Sequence, residues 1–362
     1  MLSLDFLAGF TIFMLALIMV VSMVPGLLAG LQSSGIDYDA VAYRTGVILV
    51  EDPGWPVYPS WELYGKAQKD EIQRMGLAVS KDTPNVLLST KVERFFENTS
   101  KEDQDPFFTP EDYRSKVIFG DIPYSYNFSL NISHSDGTYG LKQAGDPLPP
   151  GYGYIRRVVK IKEPSVAEID GSSRPEYIIS NPSAPEWQTS TARNFTVRLN
   201  FSQLLDPSVS PAYRIDPRTE PVNVTITNFE AYLNITEPSM DATLHNVTFL
   251  KMDPTRPNPR FTRIPFSYDT IDPNLYTLHV NGTSDLHSLQ PDVPVKSSIS
   301  LVLKPAATSL FTLDQNSILD IRFNFDHDPP QTNITGTHLY DYNPVNITHP
   351  PLKTAVLEVA IW

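Results

Sequence analysis

The sequence predicts an α+β protein in which a long N-terminal hydrophobic helix precedes a small α/β module and an antiparallel β-sandwich. Three observations lead to this fold class. An uncharged apolar stretch lies between Asp5 and Asp37, and short helical patterns follow it. Further along, apolar and polar residues alternate in short runs between Pro- and Asp-rich turns. The predicted units are residues 1–51, 52–142 and 143–362.

The hydrophobic helix is predicted from the run Phe6 to Gln32, which contains no charged residue. Crossing a bilayer takes about 20 apolar residues. A cleaved secretory signal has a basic start and an apolar core of about 7–15 residues, so a retained segment is expected here. Pro25 should kink this helix, not end it. Apolar residues near helical spacing continue to Val50, which predicts one helix of about 75 Å whose second half packs on protein.

The unit 52–142 is predicted to mix short helices with a strand. Thr109-Pro110-Glu111-Asp112 has the pattern of a capped helix start with proline at the first helical position. Thr90 and Glu93 have capping-box spacing. Tyr126, Phe128 and Leu130 alternate with polar residues, which predicts a half-buried strand.

The unit 143–362 is predicted to be the β-sandwich, an ectodomain built from many short strands. After the hinge-like stretch 143–153, extended segments are expected at 154–162 and 176–180. Alternation then predicts strands around 195–201, 222–226, 275–280, 299–303, 321–325 and 355–362. The last of these should end inside a sheet.

Eleven of the nineteen asparagines lie in N-x-S/T sequons: Asn98, Asn127, Asn131, Asn194, Asn200, Asn223, Asn234, Asn246, Asn281, Asn333 and Asn346. A glycan must face solvent, and several of these positions alternate with apolar residues of a predicted strand. The chain has no cysteine, so it has no disulfides, although eukaryotic secreted proteins of this size usually do. A chain that is rich in sequons but has no disulfides is typical of an extracellular protein of an archaeal envelope.

Composition and motifs give no sign of catalysis. The net charge of −13 argues against binding to nucleic acid. The absence of cysteine removes thiol chemistry, and the seven histidines are scattered without a metal-ligand spacing. Asp326-His327-Asp328 is the densest acidic and histidine cluster, but acidic residues are ordinary in such a turn. We expect no enzyme, no catalytic or metal-binding residues, and no cofactor other than N-linked glycans.

The N-terminal residues resemble a known family. Met1-Leu2-Ser3-Leu4-Asp5-Phe6 is similar to the mature start of archaeal type IV pilins, with Met where the family has Gln. The resemblance extends over residues 1–132 through Glu51-Asp52-Pro53-Gly54-Trp55-Pro56, Trp61-Glu62, Gly76-Leu77-Ala78, Pro84-Asn85-Val86-Leu87 and Lys91-Val92.

This resemblance implies a structural subunit of an extracellular filament that assembles through its N-terminal helix. It implies assembly roles for Met1, Ser3, Asp5 and Phe6, with Asp5 pairing with the α-amino group of a neighbouring subunit. The expected partners are other copies of the chain in a helical filament, and the membrane before assembly. A monomeric membrane-anchored envelope protein, or a minor or tip pilin acting as an adhesin, is the alternative. A surface hydrolase is a third class that the sequence leaves open.

Overall fold

The computed structural model describes residues 4–32, 38–97, 106–119, 122–134, 137–173, 194–232, 242–265, 270–283, 285–325, 338–342 and 352–362. Within the first helix, the described side chains are those of Phe6 and residues 8–23. The α-helices are α1 (Leu4–Gln32), α2 (Tyr38–Glu51), α3 (Ser89–Phe95), α4 (Pro110–Tyr113), α5 (Phe201–Leu204) and α6 (Pro305–Leu310).

Strands are the commonest regular element in the described chain beyond α2. They are β1 (Val86–Leu88), β2 (Tyr126–Ser133), β3 (Tyr139–Gly145), β4 (Gly153–Lys162), β5 (Val166–Asp170), β6 (Asn194–Asn200), β7 (Val222–Thr227), β8 (Ala242–Leu244), β9 (Asn246–Met252), β10 (Thr262–Arg263), β11 (Tyr276–Val280), β12 (Val293–Val295), β13 (Ile299–Leu303), β14 (Ile318–Asn324), β15 (His338–Tyr342) and β16 (Lys353–Ile361).

The predicted long N-terminal hydrophobic helix over residues 1–51 is wrong. α1 ends at Gln32, and α2 begins separately at Tyr38. The sequence between these two elements, Ser-Ser-Gly-Ile-Asp, has a low helix propensity, because serine and aspartate compete for backbone hydrogen bonds and glycine is a weak helix former. Over the part of the chain whose residues are described, no helix is both long and apolar enough to cross a membrane.

The first sheet has the strand order β1-β4-β16-β2-β3. Its central strand β16 pairs antiparallel with β4 on one side and with β2 on the other. Side chains of β2, β4 and β16 that point to one face form a core with α2 and α3, which we call the first core. α2 comes close to β4 at Gly46, where a Cβ atom would lie 2.9 Å from Ile155 Cγ2.

The second core lies between two further sheets, with strand orders β10-β9-β14-β6-β15 and β11-β13-β7-β5. Inward residues of both sheets, among them Phe195, Phe249 and Ile321 from one and Val224 and Leu301 from the other, belong to one apolar cluster. β8 and β12 form a separate two-stranded sheet. This arrangement of strands is consistent with a β-sandwich.

Two further features differ from the predicted fold class. Most of the regular elements in the described residues are strands, and the sheets are mixed, since β1–β4, β5–β7 and β6–β15 are parallel pairs. Parallel partners come from distant parts of the chain, so a strand-by-strand alternation does not predict them. Moreover, β4 and β16 belong to the first core, which means that the division of the chain at residue 143 does not separate the two cores.

Several local predictions are confirmed. Strands β6, β7, β11, β13, β14 and β16 lie where alternation predicts them, and β4 lies where an extended segment is expected. Thr109 caps α4 in a capping box with Asp112, and Pro110 is the first helical residue. The predicted capping box at Thr90 is wrong, because α3 begins at Ser89, its N-cap is Leu88, and it has no side-chain cap. The predicted strand at 176–180 lies outside the described residues.

Candidate functional site

The first candidate is the apolar surface of α1. All sixteen residues from Ala8 to Met23 are exposed. Large side chains on every side of the helix share this exposure, for example Ile12 at 68%, Phe13 at 62% and Leu15 at 63%. A helix that is apolar all round is normally buried on all sides. In the single chain this surface therefore lacks the apolar cover that it requires.

The predicted assembly residues are placed only in part. Met1 and Ser3 lie outside the described residues, as does the side chain of Asp5, whose backbone belongs to α1. The Phe6 ring is 59% exposed and stacks on Phe10 with 6.4 Å between ring centroids. The pairing of Asp5 with a neighbouring subunit therefore stays a prediction.

The sequons fall into different environments. Asn98, Asn234, Asn333 and Asn346 lie outside the described residues. Asn131 is exposed in the middle of β2, whereas Asn194, Asn200, Asn223, Asn246 and Asn281 are half-buried. Asn127 is buried, and its Nδ2 donates a 2.7 Å hydrogen bond to Asp146 O. Asn127 therefore does not present its side chain to solvent as a glycan requires, because the side chain ties β2 to the end of β3.

Some half-buried sequon asparagines already support the backbone. Asn281 has a left-handed backbone, with φ at 54°, and its Oδ1 accepts hydrogen bonds from the backbone N–H groups of Lys296 and Ser297 at 2.8 and 3.0 Å. Asn200 caps α5 by accepting from Ser202 N at 3.2 Å. These asparagines therefore have a structural role whether or not they carry a glycan.

A second candidate is a cavity of about 270 Å³ between the two cores. Its wall contains an ion pair in which Lys162 Nζ donates to Glu220 Oε1 at 2.7 Å, and both side chains are buried. Lys162 also donates to the carbonyl of Arg214. Burial raises the pKa of the Glu220 carboxyl, while Lys162 opposes that change. Since Lys162 ends β4 and Glu220 precedes β7, this pair joins the two cores.

At the rim of the same cavity, Tyr58 contacts the loop that carries Glu220. The Tyr58 hydroxyl accepts from Arg218 at 3.2 Å and donates to Asp216 at 3.4 Å. The Arg218 guanidinium lies 4.5 Å from the Tyr58 ring centroid. Arg218 also binds Asp216 directly, at 2.9 Å. The polar groups of Tyr58, Asp216 and Arg218 at this rim are therefore hydrogen-bonded to one another.

A buried lysine in the wall is equally occupied. Lys91 Nζ donates to Pro53 O at 2.6 Å and to Ala78 O at 3.1 Å. Burial lowers its pKa, and burial raises the pKa of the nearby Glu62 carboxyl. Held by two carbonyls, Lys91 is positioned to fix the turn after α2. Sequence reasoning did not predict the burial of Lys91 or the pairing of Lys162 with Glu220, because isolated charged residues far apart in the chain give no local signal.

Metal binding has no structural support within the described ranges, where no group of three His, Cys, Asp or Glu side chains could hold an ion. The cluster Asp326-His327-Asp328 lies outside those ranges.

Comparison with known proteins gives no identification. No protein-family model matches the chain, and neither the curated proteins nor the solved structures contain a significant match. The similarity to archaeal type IV pilins thus depends on the residues quoted above.

Proposed function

We propose that this chain is a structural subunit of an extracellular, N-glycosylated, type IV pilus-like filament of archaea. The observation that carries the proposal is the apolar surface of α1, exposed from Ala8 to Met23 on all sides of the helix. At about 25 cal/mol per Å² of apolar surface removed from water, covering only a few of these side chains would contribute several kcal/mol per subunit. A filament in which α1 helices of several copies pack together supplies that cover.

The small residues of α1 favour other copies of the helix as the cover. Gly9 and Ala16 are seven residues apart, a spacing that repeats on one helix face. No atom lies within 4 Å of the position of a Cβ on Gly9, so a neighbouring helix has room to approach. Small residues at such positions allow close packing between apolar helices.

The proposal includes N-linked glycans on the outer surface of the subunit. Asn131 is the sequon whose side chain is exposed in the middle of a strand, and it has the best access for a glycan among the described sequons. Asn127 is left out because it is buried. Glycans on the outer surface of such a subunit would shield its strands from proteases and from unwanted pairing.

The test is to shear filaments from the source cells, pellet them, and identify the subunit by electron microscopy and peptide mass spectrometry. We expect this chain as a principal component of uniform filaments. Recovery only in the membrane fraction, without filaments, would replace the proposal with a monomeric membrane-anchored envelope protein. Recovery as a trace component of filaments made of another protein would instead indicate a minor or tip subunit.

A pair of variants tests the role of α1. Ile18 in α1 and Val158 in β4 are both exposed apolar residues, at 61% and 68%. We expect Ile18→Asp to abolish filaments, because it places a charge in the packed helices. Val158→Asp adds the same charge outside α1 and should leave the yield unchanged. Asp5→Ala should also reduce the yield, and normal yields from both α1 variants would refute assembly through this helix.

A further inference from the structure

A groove beside β9 and β10 concentrates positive charge. It has a volume of about 550 Å³, and the residues that line it are Lys251, Asp253, Arg256, Asn258, Arg260, Thr262, Arg263, Ile264, Pro265, Leu310, Phe311 and Thr312. We call it the basic groove. Four of these residues are Lys or Arg and one is acidic, whereas the whole chain has a net charge of −13. The local charge is therefore opposite to that of the protein.

The loop between β9 and β10, which carries Arg256 and Arg260, has a stiff backbone. Three prolines, Pro254, Pro257 and Pro259, lie within it. Proline fixes φ and reduces the conformational freedom that binding would otherwise remove. At the start of the loop, Asp253 Oδ1 accepts from Thr255 N at 3.0 Å and from Thr255 Oγ1 at 2.6 Å. These features reduce the number of conformations open to the loop before any ligand binds.

The cations of the groove differ in how they are engaged. Lys251 Nζ donates to the carbonyl of Thr312 and to its Oγ1, which closes one end of the groove. Arg256 Nε lies 3.3 Å from Asp253 Oδ2, although its side chain is 73% exposed. Arg260 is exposed and has no hydrogen bond or ion pair within the described chain. Its guanidinium is therefore available to a ligand.

The chemistry of the lining points to one class of ligand. Eight of the twelve lining residues are polar or charged, and the apolar Phe311 is buried. Protein–protein interfaces also use arginine, but they combine it with accessible aromatic anchors at their centre, and this groove has no such anchor among its lining residues. Guanidinium groups bind carboxylate and sulfate through paired hydrogen bonds. The volume is that of a site for a small molecule or a few sugar units.

We propose that the basic groove binds an anionic saccharide through carboxylate or sulfate groups, with Arg260 as a principal contact. The inference does not depend on filament assembly, because the groove is formed within one chain by β9, β10, the loop between them and residues 310–312.

The experiment measures binding of the full-length chain, kept in detergent micelles, to polygalacturonate and to dextran sulfate, with neutral dextran as the reference. We expect binding to both polyanions that weakens with added salt, and none to neutral dextran. Arg260→Glu should weaken binding at least about tenfold, the scale of one charged hydrogen-bonded contact. A preference between the two polyanions tells carboxylate from sulfate recognition.

Arg156→Glu is the matched control. Arg156 is exposed on β4, where its Nε lies 3.5 Å from Glu358 Oε1 in an exposed ion pair. Its replacement by Glu changes the net charge by the same amount as Arg260→Glu. Its binding should stay close to wild type. Equal losses in both variants, or wild-type binding no stronger than to neutral dextran, would overturn the proposal. The proposal would also be overturned if Arg260→Glu lost self-association but still bound the saccharides, because the groove would then be a contact site for a second copy of the chain.

Discussion

Asp112 illustrates how a single side chain can organise a segment of the first core. Its Oδ2 accepts hydrogen bonds from Thr109 N and Thr109 Oγ1, each at 2.9 Å, and from Lys69 Nζ at 3.1 Å. Lys116 lies 3.4 Å from the other oxygen. Desolvation acts to raise the pKa of Asp112, but the Thr109 and Lys69 hydrogen bonds outweigh it and hold the pKa below its usual value.

Asp112→Asn should therefore destabilise the protein in a pH-dependent way. A carboxyl whose folded pKa is depressed contributes stability above its unfolded pKa, about 3.9, and loses it as the pH falls through the folded value. At pH 7 we expect a loss of about 1 kcal/mol in the free energy of unfolding, the scale of a helix cap. Melting curves of both proteins from pH 7 to pH 2.5 should converge at the acid end. A constant difference would show that the carboxylate charge is not involved.

Two sequon asparagines on the same strand provide an internal comparison for glycosylation. Asn131 is exposed on β2, whereas Asn127 is 3% exposed and hydrogen-bonded to Asp146. We expect peptide mass spectrometry of the native protein to find a glycan on Asn131 and none on Asn127. A glycan on Asn127 would mean that the sugar is added before β2 and β3 pair, and that the final fold differs at this strand.

At the scale of elements, β16 is the strand on which the first core depends. It pairs along its whole length with β4, and seven of its residues pair with β2. Its inward residues Leu357 and Val359 are buried, while Val356 is half-buried on the opposite face. A segment at the end of the sequence therefore completes a sheet that begins near residue 86.

Leu357→Ala should cost about 2 to 5 kcal/mol, because it leaves a cavity in a packed core. Val356→Ala is the control on the opposite face of the same strand, where we expect a cost below about 1 kcal/mol. Chemical denaturation followed by circular dichroism measures both. Equal costs would mean that the two faces of β16 are covered to the same extent.

The sequence predicts local elements better than their partners, and the strands show why. Alternation in Val222, Val224 and Ile226 depends on adjacent residues, so the position of β7 is predictable. Its parallel partner β5 and the return of β16 to β4 depend on contacts between residues far apart in the chain. The capping box at Thr109 forms because the hydroxyl reaches Asp112 N, whereas the same spacing at Thr90 lies inside a helix that starts at Ser89.

For the candidate sites, too, the sequence shows local features but not those that depend on contacts between distant residues. The apolar character of α1 and the eleven sequons are visible in the sequence. The burial of Asn127 is not, because it depends on the pairing of β2 with β3. The basic groove has a local signal, the run from Lys251 to Arg263 with its prolines, but its concave shape requires Leu310 and Thr312 from a distant segment.

At the scale of the whole molecule, the two cores are joined by a buried charge pair and by the crossing chain. β4 of the first core is followed after three residues by β5 of the second. Lys162, at this crossing, pairs with Glu220 at 2.7 Å, and Glu220 Oε2 is buried without a hydrogen-bond partner among the described residues. Such a pair adds little net stability, but removing one member leaves a charge buried without its partner.

Lys162→Ala should therefore lower the free energy of unfolding by about 3 to 5 kcal/mol, because it leaves the Glu220 carboxylate buried between the cores without its partner. The double variant Lys162→Met with Glu220→Leu removes both charges and keeps apolar volume, so it should recover most of that stability. Scanning calorimetry distinguishes the effect on each core. We expect one transition in the wild type, two in Lys162→Ala as the cores uncouple, and one again in the double variant. A single transition in all three proteins would mean that the strand crossings, and not the ion pair, couple the cores.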